Sequence, residues 1–194
     1  MNYEVSVEKT AITNGVSNSC KMLVKSYESG KVLDYGFGRL RNAKYMLKEN
    51  INLDILDTCE QIEKNKEELS KLNIDNIYKS DDKLKESSYD RILLSFVLNV
   101  VPEISDREFI LNNIYLSLKS DGLLYLEVRD DKFIKTVKTK IKHNDGFVLG
   151  TGKKRTFQRP YNLDDISEFL ISNGFEINES KKHSGSIVLV CKKK

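Results

Sequence analysis

One short segment, Val32-Leu-Asp-Tyr-Gly-Phe-Gly38, combines residue types that can bind a polar ligand. It places the carboxylate of Asp34 and the glycines Gly36 and Gly38 where an apolar run gives way to a helical pattern. Glycine lets the backbone approach a ligand closely, and the N-terminus of a helix favours anions. The carboxylate of Asp34 could orient the turn or pair with a cationic amine. The segment therefore predicts a ligand-binding turn between a strand and a helix.

A second carboxylate, Asp57, lies 23 residues after Asp34, at the end of the next apolar run. Nucleotide-binding α/β proteins carry at this position an acidic residue that binds the two ribose hydroxyls. A glycine turn alone is a weak signal, but the turn and the acid occur here in register. Together they predict a site for a cofactor that contains a ribose.

The elements that must position these residues alternate between short apolar runs and amphipathic stretches. This alternation is typical of βα units around a largely parallel sheet. We therefore predict an α/β fold, Rossmann-like and doubly wound. The predicted strands are 31–35, 53–56, 74–78, 91–98 and 122–128, and the predicted helices are 39–49, one after Thr58, one from Ser105, and 164–172.

The pattern changes after Arg129. Phe133, Val137 and Ile141 predict a basic amphipathic helix, and residues 146–158 predict a hairpin turning at 150–153. Strands 175–177 and 186–191 follow one another without a helix between them, so the sheet should end antiparallel. We expect the last three lysines, 192–194, to form a frayed tail.

We predict one domain over residues 1–194, which is the usual expectation for a chain of this length. Residues 1–30 would form an N-terminal helical cap and residues 31–128 a cofactor-binding core. Residues 129–194 would form an insertion on the substrate side of a sheet edge, together with the final strands.

Residues 31–128 resemble the class I S-adenosylmethionine-dependent methyltransferases, whose first motif runs Val-Leu-Asp-x-Gly-x-Gly and whose second strand ends in a ribose-binding acid. The resemblance implies methyl transfer, with S-adenosylmethionine (SAM) as the cofactor. Gly36 and Gly38 would contact its methionine part, Asp57 the ribose and Asp81 the adenine amine. The implied cofactor-binding residues are Asp34, Gly36, Gly38, Asp57, Asp81 and Phe96, and Ser95 with Phe96 would form the floor below the sulfonium.

The motif departs from the usual pattern at two positions. Leu40 replaces the third glycine, and Phe37 stands between the first two. Both changes could alter how closely the cofactor approaches the turn.

A narrower resemblance involves Thr10-Ala-Ile-Thr13, Leu98-Asn-Val-Val-Pro102, Asp106-Arg107 and Arg155-Thr-Phe-Gln158. These segments are similar to a bacterial and phage group that includes proteins assigned as methyltransferases and encoded beside DNA phosphorothioation genes. The resemblance implies that residues 10–19 close over the cofactor, and a helix packed on the sheet edge is the alternative.

Candidate substrate-side residues follow the fourth strand and the predicted hairpin: Asn99, Arg155, Arg159 and Tyr161. Asn99 would lie at the carboxyl end of a strand, where open α/β sheets bind ligands, or it would cap a helix. The arginines suit phosphate or carboxylate. If the acceptor must lose a proton, chain position allows His143, Asp130 or Tyr161 as the base.

The sequence does not identify the acceptor, which could be a small molecule or a nucleic-acid-linked group. Residues 132–159 hold nine Lys or Arg against one acid, Asp145, so this stretch could contact an anion. The stretch lacks the interleaved aromatics of a base-stacking platform, so nucleic acid is allowed but not indicated. The Asp/Asn-Pro-Pro-Tyr/Phe pattern of amino-methyltransferases that act on bases is absent after the fourth strand.

Composition predicts a folded, cytoplasmic protein, with 39% hydrophobic and 31% charged residues, no signal sequence and no membrane-spanning run. Cys20, Cys59 and Cys191 lack the spacing of a zinc or disulfide framework, so we expect reduced structural thiols and no metal.

Two other functions remain open from the residues. A nicotinamide-dependent oxidoreductase would share the glycine turn and the acid, but Leu40 stands where that fingerprint needs a small residue. A non-catalytic SAM-binding or partner-binding module with the same fold is the second alternative.

Overall fold

A seven-stranded sheet forms the centre of the molecule, in the order β10-β11-β6-β5-β2-β3-β4. The computed structural model describes residues 4–6, 15–80, 82, 84, 86 and 88–194. The strands of this sheet are β2 (Lys31–Tyr35), β3 (Asn52–Asp57), β4 (Ile77–Lys79), β5 (Tyr89–Ser95), β6 (Leu118–Arg129), β10 (Phe175–His183) and β11 (Ser186–Lys193).

The five strands β4, β3, β2, β5 and β6 are parallel to one another. Strand β11 pairs antiparallel with β6, and β10 pairs antiparallel with β11. The predicted α/β fold, with a mostly parallel sheet and an antiparallel C-terminal end, is confirmed. The first predicted strand has the observed bounds, Lys31–Tyr35.

Helices cover both faces of the sheet, because each presents an apolar stripe that must be buried. On one face Leu23 and Met46 pack against Val32 of β2, and on the other Leu111 and Leu170 pack against Leu94 and its neighbours. Ser17, Thr58 and Asn162 cap helix N-termini through their side chains. The helices are α1 (Asn18–Lys25), α2 (Arg41–Lys48), α3 (Cys59–Lys64), α4 (Lys66–Leu69), α5 (Ile104–Ser117), α6 (Asp131–Thr136) and α7 (Leu163–Ser172).

A second, four-stranded sheet has the order β1-β9-β8-β7. The predicted hairpin is confirmed as β8 and β9, joined by residues 150–153. Two further strands extend it, and one of them, β1, comes from the N-terminal segment that we expected to be helical. The strands of this small sheet are β1 (Glu4–Val5), β7 (Lys140–His143), β8 (Gly146–Leu149) and β9 (Lys154–Gln158).

The basic helix predicted from Phe133, Val137 and Ile141 is largely wrong. Helix α6 ends at Thr136, and Ile141 lies in β7, paired with Val148 of β8. The spacing of three apolar residues fits a helix, but pairing with β8 satisfies the backbone of 140–143 instead.

Other predicted boundaries also need correction. The third strand is 77–79 instead of 74–78, and the fourth ends at Ser95 instead of Leu98, because Phe96 adopts a left-handed backbone (φ +61°). The C-terminal lysines are not a frayed tail, since β11 continues to Lys193. Backbone pairing with Leu123 and Glu176 holds Lys192 in the sheet.

Two buried carboxylates join distant parts of the core through hydrogen bonds. Asp54 accepts from Tyr89, Asn76 and Lys31 at 2.7–2.9 Å. Glu127 accepts from the backbone and hydroxyl of Ser19, from Asn18 and from Ser186. Glu127 thereby ties the start of α1 to strands β6 and β11.

No helix among the described residues is long and apolar enough to span a membrane. All three cysteines are free thiols; Cys20 and Cys191 are buried and Cys59 is exposed.

Candidate active site

A cavity of about 410 Å³ opens at the carboxyl ends of the parallel strands. It lies where β2 and β5 are neighbours and their following helices cover opposite faces of the sheet, the position at which open α/β sheets bind ligands. The first part of its wall comes from the turns after β2, β3 and β4, and includes Gly36, Gly38, Asp57, Thr58, Gln61 and Ser80. The second part comes from the segments after β5, β6 and β9, and includes Phe96, Asn99, Pro102, Phe109, Arg129 and Gln158.

The glycine turn after β2 forms one side of the first part. Gly36 and Gly38 both have positive φ, +83° and +56°, which glycine adopts without strain. The amide of Gly36 donates to the carbonyl of Leu56 at 2.7 Å, so the turn is bound to the end of β3. A Cβ on Gly36 would lie 2.4 Å from Val97 Cγ2, and no larger residue fits.

Asp57 joins the turn to the second strand. Its Oδ2 accepts from the amide of Gly38 at 2.8 Å, and its Oδ1 accepts from the amide of Thr58 at 2.8 Å. One carboxylate therefore fixes the glycine turn and the start of α3, and the same residue lines the cavity. The sequence predicts that the glycine turn and Asp57 belong to one site, and in the structure a direct hydrogen bond joins them.

Asp34 is fully buried at the end of β2 and is not among the residues that line the cavity. Neither carboxylate oxygen has a hydrogen-bond partner among the described residues. Burial, assisted by the charge of Asp57, raises the pKa of Asp34 to about 7, although Arg41 opposes the shift. Ionisation of Asp34 therefore opposes folding.

We expect Asp34→Asn to remove a pH dependence from stability. Because the pKa of Asp34 is higher in the folded than in the unfolded protein, the folded state binds more protons at this residue between about pH 4 and pH 7. Wild-type stability should fall relative to the variant as pH rises through this window, and the difference should stay constant above it. Urea unfolding at several pH values measures the difference. Asp121→Asn, on an exposed side chain, is the control; a wild-type minus Asp34→Asn difference that is flat with pH would contradict the assignment.

The two departures from the glycine motif are both buried. Leu40 is fully buried at the N-terminus of α2, and its φ of +60° is the left-handed conformation that a glycine would adopt more easily. Phe37 is also buried and packs in the same apolar cluster. Packing of these side chains therefore offsets the cost of replacing the third glycine.

Phe96 lies directly after β5 and lines the second part of the cavity. The guanidinium groups of Arg129 and Arg41 lie 4.7 and 5.5 Å from its ring centre. Burial lowers the pKa of both arginines, against the attraction of Glu127. The hydroxyl oxygen of Ser95, which precedes Phe96, is buried without a partner among the described residues.

Asn99 lines the cavity and also connects three segments. Its amide donates to the carbonyl of Arg159 at 2.6 Å, its Oδ1 accepts from the amide of Arg129 at 2.9 Å, and its own carbonyl accepts from the amide of Arg159. It therefore fixes the end of β9, with Gln158, beside the end of β6.

Three predicted substrate-side residues, Arg155, Arg159 and Tyr161, do not line this cavity. Arg159 donates to Asp145 at 2.6 Å and stacks on Tyr161 at 3.9 Å. Asp145 also accepts two hydrogen bonds, at 2.8 and 2.9 Å, from Arg107, which is 1% exposed. This cluster, Arg107, Asp145, Arg159 and Tyr161, is here called the ion-pair clamp, and it joins the small sheet to α5.

The candidate bases His143, Asp130 and Tyr161 also lie outside the cavity wall. Asp81 and residues 10–14 lie outside the described residues, although Ser80 lines the cavity.

Sequence reasoning missed Arg41 and Arg129, whose only signal was their place just after a turn and at the end of a strand. It also missed Gln61, one turn of helix after Asp57, whose Oε1 is buried without a partner among the described residues.

No protein-family model and no curated protein matches the chain. Several solved structures match its fold. A protein from Pyrococcus horikoshii aligns with a TM-score of 0.77 and 16% identity over 90% of this chain and 87% of its own. A SAM-dependent methyltransferase from Methanosarcina mazei aligns with a TM-score of 0.74 and 16% identity over 92% and 98%.

A 1,6-didemethyltoxoflavin-N1-methyltransferase from Burkholderia thailandensis, solved with 1,6-didemethyltoxoflavin and S-adenosylhomocysteine, aligns with a TM-score of 0.69 and 16% identity over 97% and 79%. At these identities the likeness establishes the fold. The narrower similarity to phosphorothioation-associated proteins stays a prediction. The chain has the mixed α/β fold of the SAM-dependent methyltransferases.

Proposed function

We propose that this protein is a SAM-dependent methyltransferase. The observation that carries the proposal is the hydrogen bond between Asp57 and the glycine turn at Gly38, at the mouth of a cavity in this fold. The fold alone does not fix the function, because one fold hosts many chemistries. The neighbours of this fold that are described as methyltransferases add support.

The residues of the first part of the cavity fit SAM. Gly36 and Gly38 line this part of the cavity, where the methionine part would lie, and Asp57 can accept from ribose hydroxyls while it holds the turn. The buried Oε1 of Gln61 has no donor among the described residues, and a ligand N–H or O–H would satisfy it. Asp34 does not line the cavity, so we assign it no contact with the cofactor.

Bound SAM would supply a methyl group already activated on a sulfonium, for transfer to a lone pair of the acceptor. The protein itself then has to hold the acceptor atom in line with the bond between the sulfur and the methyl carbon. Phe96 and Ser95 line the cavity, and the resemblance assigns them to the floor below the sulfonium. None of the sequence-predicted bases, His143, Asp130 and Tyr161, lines the cavity.

Labelled methyl transfer tests the proposal. Purified protein is incubated with SAM carrying a labelled methyl group and with fractionated pools of small metabolites and nucleic acids. We expect label in one class of acceptor, and we expect added S-adenosylhomocysteine to inhibit the transfer. Tight binding of S-adenosylhomocysteine with no transfer to any pool would instead support a non-catalytic SAM-binding module.

A further inference from the structure

One side of the small sheet carries a row of side chains that leads to the cavity. Residues that pair directly across strands lie on the same side of a sheet, and alternate residues along a strand share that side. Lys142 of β7 pairs with Phe147 of β8, and Phe147 pairs with Gln158 of β9. This side is here called the lysine face, and its residues are Lys140, Lys142, Phe147, Leu149, Lys154, Thr156 and Gln158.

The lysine face is the outer side of the small sheet. Val148 and Phe157, which point to the other side, are fully buried. Lys140, Lys142 and Lys154 are exposed, whereas the apolar and polar side chains of the lysine face are partly buried. The sheet therefore packs on the rest of the molecule with its apolar side and turns its lysines to the solvent.

The pairing of β7 with β8 brings an aromatic ring beside two lysines. The ammonium groups of Lys142 and Lys140 lie 5.0 and 5.8 Å from the ring centre of Phe147. Lys140 also donates to the carbonyl of Ile134 at 2.9 Å. Among the described residues, neither of these lysines has an acidic partner in an ion pair. Two like charges beside one ring repel each other, and a bound polyanion relieves that repulsion.

The acids of the small sheet do not neutralise these two lysines. The described part of the sheet with its turns, residues 4–6 and 140–158, contains two acids, Glu4 and Asp145. Asp145 is the shared acceptor of the ion-pair clamp, so two guanidinium groups already compensate its charge. Glu4 is in register with Lys154 and belongs to β1, the edge strand opposite to β7.

The segments next to β7 do not reverse the sign of the charge. Residues 130–138 contain two acids against three lysines, and one of the acids, Asp131, pairs with Lys135. Glu103 lies near the turn between β7 and β8, where it accepts from the side-chain amide of Asn144 at 3.3 Å. The edge of the small sheet at β7 therefore keeps positive charge for a ligand.

The row ends at the candidate active site. Gln158 lines the cavity, and its Oε1 is buried without a donor among the described residues. Neighbouring strands are about 4.8 Å apart, so Phe147 lies one strand spacing and Lys142 two spacings from a residue of the cavity wall. A ligand held by Lys142 and Phe147 would therefore lie beside the cavity mouth.

We propose that the lysine face binds single-stranded nucleic acid. Lys140 and Lys142 contact phosphates, and Phe147 stacks on a base. Aromatic rings beside basic side chains bind single strands in this way without reading their sequence. A membrane surface would need apolar side chains that project beyond the lysines, but Phe147 and Leu149 are partly buried. This inference goes beyond the proposed function and does not require bound cofactor.

Fluorescence anisotropy with the full chain tests the inference. The probes are fluorescein-labelled oligothymidylate and oligouridylate of about twelve nucleotides, a length within the range of known single-strand sites. A DNA duplex of the same length and vesicles of phosphatidylserine are titrated in parallel. We expect the single strands to bind most tightly, and we expect their affinity to fall steeply as the salt concentration rises.

Variants assign this binding to residues. The double variant Lys140→Gln with Lys142→Gln should weaken both single strands at least about tenfold and should reduce the salt slope by roughly 0.7 for each lysine removed. Phe147→Leu keeps an apolar side chain but removes the ring, and should weaken them about fivefold or more. The matched control is Lys48→Gln with Lys64→Gln, which removes the same charge from the C-terminal ends of α2 and α3 and should change binding little.

Four results would overturn the inference: no binding of either single strand, equal or tighter binding of the duplex or the vesicles, an equal loss in the control double variant, or wild-type binding by Phe147→Leu. A separate titration with S-adenosylhomocysteine should give wild-type affinity in the lysine double variant, since neither lysine lines the cavity. Absence of S-adenosylhomocysteine binding in the wild type would remove the proposed function and leave this inference standing. Failure of the oligonucleotides with that binding intact would do the reverse.

Discussion

Replacing Gly36 by alanine should weaken S-adenosylhomocysteine binding by about a hundredfold or more, close to 3 kcal/mol of binding free energy. Two effects add. The φ of +83° strains any residue with a Cβ, and the new methyl would lie 2.4 Å from Val97 Cγ2. Val97 is β-branched and stiff, so the turn must move instead, and its hydrogen bond to Leu56 moves with it. Calorimetric titration measures the loss.

Gly185→Ala is the matched control for this prediction. Gly185 lies in the turn between β10 and β11 with nearly the same φ, +85°, but its Cβ would meet nothing within 4 Å. It should therefore show the cost of strain alone, about 1–3 kcal/mol of stability, with ligand affinity unchanged. If both variants bind S-adenosylhomocysteine like the wild type, the glycine turn is not part of the cofactor site.

Replacing Asp145 by alanine should lower the free energy of unfolding by about 3–5 kcal/mol. Asp145 is the shared acceptor of the ion-pair clamp, and its loss leaves the guanidinium of Arg107 charged, 1% exposed and without its carboxylate. Burial alone would raise the pKa of Asp145, but the hydrogen bonds from Arg107 and Arg159 hold it below its ordinary value. Denaturant unfolding near neutral pH measures the effect.

Two further variants test whether the buried charge is the cause. The double variant Arg107→Met with Asp145→Ala should recover much of the lost stability, because it removes the uncompensated cation. Asp131→Ala breaks a solvent-exposed pair with Lys135 within one turn of helix, and this control should leave the free energy of unfolding almost unchanged. A double variant no more stable than Asp145→Ala would show that packing, and not charge, explains the loss.

The core of the fold could be predicted from the sequence because its signals are local. The run 31–35 is mostly apolar, Gly36 and Gly38 end it, and Asp57 follows at the end of the next run. The strand, the turn and the acidic residue can therefore be predicted without tertiary information. Their hydrogen bond through Gly38 follows once the two strands are neighbours in a parallel sheet.

The features that could not be predicted from the sequence depend on contacts between distant segments. The run 91–98 is nearly continuously apolar, so nothing local shows that the chain turns at Phe96. Strand β1 exists only through pairing with β9, near the other end of the chain. Arg159 has the residue type of an anion ligand, but in the folded protein it pairs with Asp145, which Arg107 also binds.

The residues that line the second part of the cavity illustrate the same limit. Arg129 and Gln158 end strands β6 and β9, and Asn99 brings those two ends together. Composition marked the whole stretch 132–159 as basic, yet no lysine of that stretch lines the cavity. The concentration of basic residues in 132–159 therefore indicates the small sheet and not the cavity.

Calorimetric titration with S-adenosylhomocysteine, with NAD titrated in parallel and both repeated on Asp57→Ala, tests the central claim most directly. We predict tight binding of S-adenosylhomocysteine, no binding of NAD, and at least about tenfold weaker binding in the variant, because Asp57 holds Gly38 and, in the proposed function, accepts from the ribose. Absence of S-adenosylhomocysteine binding, or equal binding by wild type and Asp57→Ala, would contradict the assignment of this cavity to SAM.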